Sequence, residues 1–388
     1  MKSFGYIQPS RLAFGAGRLK EAGSIVSRYG KNALLVVDPG FRQALPQAVE
    51  TVQTSLKAAG LSVCIFDKVF PNPRLCDVQE GAELARTQKV DVLVGMGGGS
   101  AMDSARAIAV AATHPGTAMD YLYFKTQPTE KTLPFVLIPT TSGTGSHMSC
   151  CAVITDTEHD FKSALWNQDR LFARATLVDP ELMLSLPKGI TASTGFDVFT
   201  HAFESYINVG ASPMGDLMAL ETIATVVEYL PKTLDDPKNI EYRSKLAWAD
   251  TLAGATIANV GTTLPHAMGQ PISGHFPKVS HGQSLAVIYP AFLGYTWDSS
   301  VERFARIARL FNPQLTGATD AKAAEALKDE VVAFLKKIGL FCTLDDFGIT
   351  RHDVEPILKH CMEFPDVNVN PKVPDTDTVR ELYLQSFK

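Results

Sequence analysis

A glycine-rich turn at residues 95–100, which read GMGGGS, is the feature that most constrains the fold of this chain. An apolar run at 90–95 leads into the turn, and a stretch typical of a helix follows it. Consecutive glycines let the backbone adopt positive φ and approach a ligand closely, and the first N–H groups of a helix favour a phosphate. The turn matches neither standard nucleotide-binding fingerprint. It therefore indicates either a phosphate-binding loop or a tight strand-to-helix turn without a ligand.

The rest of the first half alternates strand-like and helix-like segments. Short apolar runs at 33–37, 61–66 and 135–139 are typical of buried parallel strands. Helical patterns lie between them, for example at 45–59 and 78–88. This alternation predicts βαβ units and a parallel sheet with right-handed crossovers.

Helix-forming stretches dominate after about residue 185. They lie at 198–208, 216–230, 242–259, 301–311 and 322–338. We therefore predict two domains, an α/β nucleotide-type domain over residues 1–185 and an all-α domain over residues 186–388.

Composition narrows the class of protein and its compartment. The 388 residues carry 36 Lys and Arg against 41 Asp and Glu, a net charge of -5, which argues against a nucleic-acid partner. No segment reaches the roughly 18 apolar residues of a membrane helix, and the amino terminus has no apolar signal-peptide core. Six scattered cysteines without a C-x-x-C pair favour free thiols. We expect a cytoplasmic protein with neither a membrane nor a nucleic-acid partner.

Two further features suit a cofactor at the carboxyl ends of the strands. A polar loop at 139–146, PTTSGTGS, follows the fourth apolar run, and Asp38 follows the first. Hydroxyls and N–H groups at such positions suit a ligand, and an acid there can bind ribose hydroxyls and repel a 2′-phosphate. Alternatively, the loop hydroxyls bond local backbone groups and Asp38 is a turn residue ahead of Pro-Gly.

One carboxylate and three imidazoles in the second half are candidate metal ligands. Asp197 and His201 stand at i and i+4 of a helical stretch, so both point from one face. His266 and His281 can complete a set for a divalent first-row metal such as Fe²⁺ or Zn²⁺. Their spacing is not diagnostic, and ordinary hydrogen-bonded histidines remain the alternative.

Ordered motifs along nearly the whole chain resemble the iron-containing (group III) alcohol dehydrogenase family. The motifs are Gly97-Gly98-Gly99-Ser100-x-x-Asp103, the loop at 139–146, Gly195-x-Asp197-x-x-x-His201-Ala202-x-Glu204, His266-Ala267 and His281-Gly282. The resemblance implies a Rossmann-like dinucleotide-binding domain followed by an all-α metal-binding domain, which is the dehydroquinate synthase-like architecture. It also implies a homodimer or a higher homo-oligomer.

The resemblance also implies site residues. The implied metal ligands are Asp197, His201, His266 and His281. The implied cofactor-binding residues are Asp38, Asn72, Gly97, Gly98, Gly99, Ser100, Asp103, Thr140, Thr141, Thr144 and Lys162. Asp38 points to NAD rather than NADP. The expected metal is Fe²⁺, with Zn²⁺ or another divalent ion as alternatives.

Departures from the family pattern put some of these roles in doubt. Arg106 stands where the family usually has Lys, and His147 where it usually has Glu. Gln270 replaces a second histidine that the family often has near the substrate, which removes a candidate proton relay. The loop before His281 is one residue longer than usual, so His275 is our candidate catalytic residue in place of the lost histidine. The alternative is that His275 is an ordinary loop residue.

The expected activity is metal-assisted hydride transfer between C4 of a nicotinamide and an alcohol or aldehyde that is a small molecule of unspecified identity. One alternative keeps the fold but changes the reaction, to a glycerol dehydrogenase-like or dehydroquinate synthase-like enzyme. Another alternative is a nucleotide-binding protein without catalysis.

Overall fold

The computed structural model describes residues 3–117, 120–121, 126–158 and 161–388. The contacts divide the chain into two units. The sheet unit comprises Ile7–Leu186 and Lys238–Ala247, and the helical unit comprises Met1–Tyr6, Pro187–Pro237 and Trp248–Lys388. Residues 238–247 thus pack with the sheet unit although they lie far beyond it in the chain.

The sheet unit is built on six parallel strands. They are β1 (Arg11–Phe14), β2 (Asn32–Val37), β3 (Ser62–Phe66), β4 (Val92–Gly97), β5 (Phe135–Pro139) and β8 (Ala175–Val178). Their order is β1-β8-β5-β4-β2-β3, and every pairing is parallel. The predicted parallel sheet is therefore present, and β2 to β5 coincide with the apolar runs of the sequence.

Helices connect these strands. They are α1 (Ala22–Val26), α2 (Pro39–Ala44), α3 (Pro46–Ala58), α4 (Leu75–Thr87) and α5 (Gly99–Ala111). Residues 101–111 of α5 are all buried. Since this helix is rich in alanine, it packs closely on β4 and β5, whose residues are buried as well.

The strand order creates a switch point between β2 and β4. From β2 the chain adds β3 on one side, and it then returns to place β4 on the other side. In open α/β sheets, ligands bind at the carboxyl ends of the strands where the order reverses in this way. The ends of β2 and β4 therefore lie where a nucleotide is expected.

Two further strands, β6 (Cys151–Asp156) and β7 (Phe161–Trp166), form an antiparallel hairpin. Thr155 pairs with Lys162 in its register. The amide of Thr155 also donates to the carbonyl of Pro73 at 2.7 Å, so the hairpin is attached to the segment before α4.

The helical unit follows the predicted change to an all-α half. Its helices are α6 (Lys188–Ile207), α7 (Pro213–Asp235), α8 (Ile240–Asn259), α9 (Leu264–His275), α10 (His281–Thr296), α11 (Val301–Phe311), α12 (Asp320–Lys337), α13 (Val354–Cys361) and α14 (Thr376–Leu384). Only the second part of α8 belongs to this unit. Among the described residues, no helix is long and apolar enough to span a membrane.

Helix α6 runs through the core of the helical unit, and nearly every residue from Thr191 to Ile207 is buried. One face carries Phe196, Phe199 and Phe203, and the ring of Phe203 lies 5.4 Å from that of Phe304 on α11. Aromatic packing of this kind fixes the rotation of a helix. Because the aromatic face is held by packing, the polar residues of α6 are presented in a defined direction.

Candidate active site

The ends of β2 and β4 are hydrogen-bonded to each other in the sheet unit. The amide of Asp38 donates to the carbonyl of Met96 at 3.3 Å, and the amide of Thr140 donates to the carbonyl of Gly97 at 2.9 Å. Gly97 has a φ of 153°, and a Cβ on it would lie 2.6 Å from the Cβ of Ala101. A side chain at this position would collide with Ala101, so only glycine fits there. The backbone of β4 turns into α5 at this point, beside the loop that follows β5.

The two predicted cofactor loops meet at Gly99. A Cβ on Gly99 would lie 2.8 Å from Cγ2 of Thr144, and one on Gly98 would lie 3.6 Å from Oγ1 of Thr141. The threonines therefore stand against the turn, and Ser100 follows in the first turn of α5. This brings five of the predicted cofactor residues together in one place, where a helix amino terminus favours a phosphate.

Arg106 on α5 holds the loop that follows β5 through hydrogen bonds. The sequence analysis did not predict this role. Its guanidinium is fully buried and donates hydrogen bonds to Oγ of Ser146 at 3.1 Å and to the carbonyl oxygen of Ser146 at 2.7 Å. It also donates to Asp103 Oδ1 at 3.1 Å, while Asp103 Oδ2 accepts the amide of Val153 at 3.0 Å. Asp103 thus helps Arg106 to hold the loop in place. Burial raises the pKa of Asp103, and Arg106 opposes that shift.

His147 is fully buried beside this anchor. Burial, together with the positive charge of Arg106, lowers the pKa of His147 to about 3. The imidazole is therefore neutral at physiological pH. Where the family usually has an acid, this chain has an uncharged side chain.

Lys162 and Asn72, the remaining pair of predicted cofactor residues, contact each other. Nζ of Lys162 donates to Oδ1 of Asn72 at 2.9 Å. Asn72 has a φ of 56°, a left-handed conformation that asparagine tolerates better than most residues. Strained backbone of this kind is often held in place at functional sites.

Asp38 has a second role in the structure. Its Oδ1 accepts the amide of Phe41 at 2.6 Å and caps α2. Asp38 can still be either a ribose-binding acid or a turn residue, because its other carboxylate oxygen takes no part in that hydrogen bond. Its contact with a ribose stays a prediction.

The four predicted metal ligands meet in the helical unit. Nε2 of His201, of His266 and of His281 lie 3.7, 3.8 and 3.7 Å from Oδ1 of Asp197. Asp197, His201 and His266 are buried, and His281 is the most accessible, with 28% of its side chain exposed. Helix α6 supplies the first pair one turn apart, α9 supplies His266 from its first turn, and α10 begins at His281.

This donor set fits a divalent metal ion. Separations of 3.7–3.8 Å are too long for N–H···O hydrogen bonds. Ligand bonds of about 2.1 Å place neighbouring ligand atoms roughly 3.0–3.4 Å apart, only slightly closer than these atoms are. One carboxylate and three imidazoles suit Fe²⁺ and Zn²⁺ alike.

Glu204 is a functional candidate to which the sequence analysis assigned no role. Oε1 of Glu204 lies 2.8 Å from Nδ1 of His266, and Oε2 accepts the amide of Thr263 at 2.8 Å. Burial raises the pKa of Glu204 well above its ordinary value, and the hydrogen bonds from the amides of Thr263 and His266 oppose that shift. The signal in the sequence was its spacing: Glu204 stands at i+3 from His201 and i+7 from Asp197, on the same face of α6.

His275, our candidate catalytic residue, is paired with another histidine. Its Nε2 lies 2.9 Å from Nδ1 of His360 on α13, and the two rings stack with centroids 4.9 Å apart. The compact cluster of Asp197, His201 and His266 does not include His275, and it does not include His281 either, which approaches the cluster through its 3.7 Å contact with Asp197. Its catalytic role stays a prediction.

A nucleotide-type parallel sheet and a buried Asp–His cluster in one chain are typical of metal-dependent dehydrogenases. Sequence comparison agrees: residues 9–180 match the model of "Iron-containing alcohol dehydrogenase", and residues 191–387 match "Fe-containing alcohol dehydrogenase family, C-terminal". The chain belongs to the iron-containing alcohol dehydrogenase family. This confirms the resemblance found in the sequence, the predicted fold class and the predicted class of enzyme, an oxidoreductase that acts on CH–OH groups.

Similar proteins span the whole chain. A choline dehydrogenase of Bacillus subtilis is 36% identical over 98% of this chain and 94% of its own length. An NAD-dependent methanol dehydrogenase of Bacillus methanolicus is 32% identical, with 96% and 97% covered. Among solved structures, an archaeal halo-thermophilic alcohol dehydrogenase from a Red Sea brine pool matches with a TM-score of 0.94 and 32% identity, with both chains fully covered.

Proposed function

We propose that this protein is a metal-dependent, NAD-linked alcohol dehydrogenase that also reduces aldehydes. The observation that carries the proposal is the cluster in which three imidazole Nε2 atoms surround Oδ1 of Asp197 at 3.7–3.8 Å. A divalent cation supplies Lewis acidity, which lowers the pKa of an alcohol and polarises a carbonyl, and NAD supplies the hydride acceptor.

The residues of the cluster divide the work of holding the ion. The carboxylate of Asp197 contributes the one negative charge, and His201, His266 and His281 contribute neutral nitrogen donors. Glu204 orients His266, because a carboxylate at Nδ1 favours the tautomer with the proton on Nδ1 and leaves the lone pair on Nε2. A site built on three buried helices holds its donors rigidly.

In the proposed cofactor site, the backbone binds the diphosphate. Gly98 and Gly99 permit close approach, and the amino terminus of α5 at Ser100 attracts negative charge. Asp38 bonds the adenosine ribose and repels a 2′-phosphate, which makes NAD the cofactor rather than NADP. The pair of Lys162 and Asn72 completes the set of contacts that we assign to the cofactor.

The proposed substrate is a small alcohol or aldehyde. The alcohol dehydrogenases and the methanol dehydrogenase among the relatives support this class. We further propose that the protein acts in the cytoplasm, which is favoured by its six cysteines being outside disulfides, and that it forms a homodimer or a larger homo-oligomer. Light scattering coupled to gel filtration tests the oligomeric state.

The activity is tested with protein loaded with Fe²⁺ without oxygen, or with Zn²⁺. NAD⁺ and a series of primary alcohols are added, and the absorbance band of reduced nicotinamide is followed; aldehydes with NADH test the reverse direction. We expect turnover that a chelator abolishes and fresh metal restores. Absence of turnover in both directions with every metal would favour a nucleotide-binding protein without catalysis.

A variant separates metal binding from folding. His266→Ala removes one donor and should abolish metal retention in elemental analysis while circular dichroism stays that of the wild type. His352→Ala is the matched control, because His352 is exposed. Full metal occupancy in His266→Ala would remove His266 from the ligand set.

A further inference from the structure

Ser193 on α6 contacts both residues that flank the metal ligand His281. Its Oγ lies 3.0 Å from Oγ of Ser280. A Cβ on Gly282 would lie 2.1 Å from the carbonyl oxygen of Ser193 and 2.6 Å from its Oγ, so the backbones of α6 and α10 approach each other closely at this point. Ser193 itself is buried. A single residue of α6 thus holds the start of α10 on both sides of His281.

The direction of the hydrogen bond between the two serines follows from the capping box of α10. Oγ of Ser280 donates to Oε1 of Gln283 at 2.8 Å and accepts the amide of Gln283. A hydroxyl has one hydrogen and two acceptor positions, and Gln283 uses the hydrogen of Ser280. Ser193 is therefore the donor, and its hydrogen fills the second acceptor position of Ser280. This bond links α6 to the residue that caps the helix beginning at His281.

Ser193 also lies on the metal-binding face of α6. It precedes Asp197 by four residues and His201 by eight, so the three side chains share one face of the helix. His281 is the most exposed of the four ligands, and it lies outside the compact cluster of Asp197, His201 and His266. The first residue of a helix takes its position from that end of the helix. The end of α10 is held on α6 by Ser193.

We infer that Ser193 is a positioning residue whose hydrogen bond to Ser280 sets the fourth ligand, His281, against Asp197. The inference rests on the metal site of the proposed function. Glu204 orients the imidazole of His266 directly, whereas Ser193 positions the backbone from which His281 projects. Loss of the bond lets the start of α10 move away from α6, and water then replaces His281 on the ion.

Ser193→Ala removes the hydroxyl and keeps the rest of the contact between the helices. We expect the affinity for Zn²⁺, measured by competition with a chromophoric chelator, to fall about tenfold, which is the lower end of the range for groups that orient metal ligands. Thr194→Ala is the matched control, because the hydroxyl of Thr194 bonds the carbonyl of Ile190 within α6 at 2.9 Å. We expect that control to bind Zn²⁺ as tightly as the wild type.

His281→Ala shows whether Ser193 acts through this ligand. A double-mutant cycle isolates the coupling of two residues. We expect Ser193→Ala to lower the affinity for Zn²⁺ in the wild type but to have no further effect in His281→Ala. The visible absorption of the Co²⁺-loaded proteins is a second readout, because it changes when water replaces a nitrogen ligand. The spectrum of Ser193→Ala should shift toward that of His281→Ala, which a change in stability alone does not cause.

Ser280→Ala tests the same hydrogen bond from α10, and it takes the place of Ser193→Ala if that variant does not fold. It removes the acceptor and the N-cap together, so we expect at least the same loss of affinity. A wild type that binds neither Zn²⁺ nor Co²⁺ would overturn the proposed function, and this inference with it. An affinity of Ser193→Ala equal to that of Thr194→Ala, or a loss that is as large in His281→Ala as in the wild type, would overturn the role of Ser193 alone.

Discussion

The carboxylate of Glu204 lies 2.8 Å from Nδ1 of His266 and at the same time bonds the amino terminus of the helix that carries this histidine. Its Oε2 accepts the amides of Thr263 at 2.8 Å and of His266 at 3.4 Å. The side chain of Thr263, the N-cap residue of α9, does not cap this helix. One buried carboxylate on α6 therefore fixes both the start of α9 and the orientation of its imidazole.

Glu204→Gln tests this double role. A carboxamide offers one acceptor oxygen, so its NH₂ group must face an N–H donor of Thr263 or His266. We expect metal affinity to fall about 10- to 100-fold, as for other partners of metal-bound histidines, and stability to fall by about 1–3 kcal/mol. Competition with a chelator and urea unfolding measure the two effects. Glu228→Gln, an exposed change in the same unit, is the control; equal metal affinity in both variants would contradict the role of Glu204.

Asp38→Gly separates the charge of Asp38 from its capping role. Glycine at an N-cap costs only a few tenths of a kcal/mol relative to a good cap, so the fold should persist without the carboxylate. We expect the ratio of kcat/KM with NAD to that with NADP to fall, because the repulsion of the 2′-phosphate is lost. The control is Asp375→Gly, which removes another N-cap aspartate, on α14. A cofactor ratio unchanged from the wild type would mean that Asp38 only caps α2.

Arg106→Lys tests how the cofactor loop is held. The guanidinium donates to the carbonyl of Leu171 at 2.9 Å and to that of Ser149 at 3.1 Å, besides Ser146 and Asp103. Lysine has three N–H donors against five for arginine, so at least two buried acceptors lose a partner. We expect a lower melting temperature and weaker NAD binding, with KM for NAD raised more than kcat is lowered. Arg86→Lys, on α4, is the control. If Arg106→Lys had the same NAD affinity and the same stability as Arg86→Lys, Arg106 would not be what holds the cofactor loop.

The sequence predicted those parts of the fold that depend on local pattern. Four of the six sheet strands lie on continuous apolar runs, and the glycine turn lies where β4 meets α5. Strand β1 was harder to recognise from its residues, because only one of its four residues is buried. The hairpin of β6 and β7 has an alternating burial pattern in β6 and no apolar run.

The arrangement of the metal ligands and of His275 depends on contacts between residues that are far apart in the sequence. Asp197 and His201 share a helix face, so their proximity follows from spacing. The approach of His281 to Asp197 follows instead from the packing of α10 on α6, which no local pattern encodes, and only the family resemblance supplied it. The pairing of His275 with His360 joins residues 85 positions apart, and no local sequence pattern predicts it.

The buried His147 makes stability depend on pH. Its pKa is lowered from 6.5 to about 3 by burial and by Arg106, so the unfolded chain binds a proton there that the folded chain does not. Stability contributed by His147 is therefore full above about pH 6.5 and is lost progressively as the pH falls toward 3. At pH 5 the loss is about 2 kcal/mol, at 1.36 kcal/mol per pH unit.

In His147→Gln the difference in unfolding free energy between pH 7 and pH 5 should shrink by about 2 kcal/mol, whereas His352→Gln, at an exposed site, should keep the difference of the wild type. Urea unfolding at both pH values decides, and an unchanged pH dependence in His147→Gln would show that His147 takes up its proton in the folded protein as readily as in the unfolded chain.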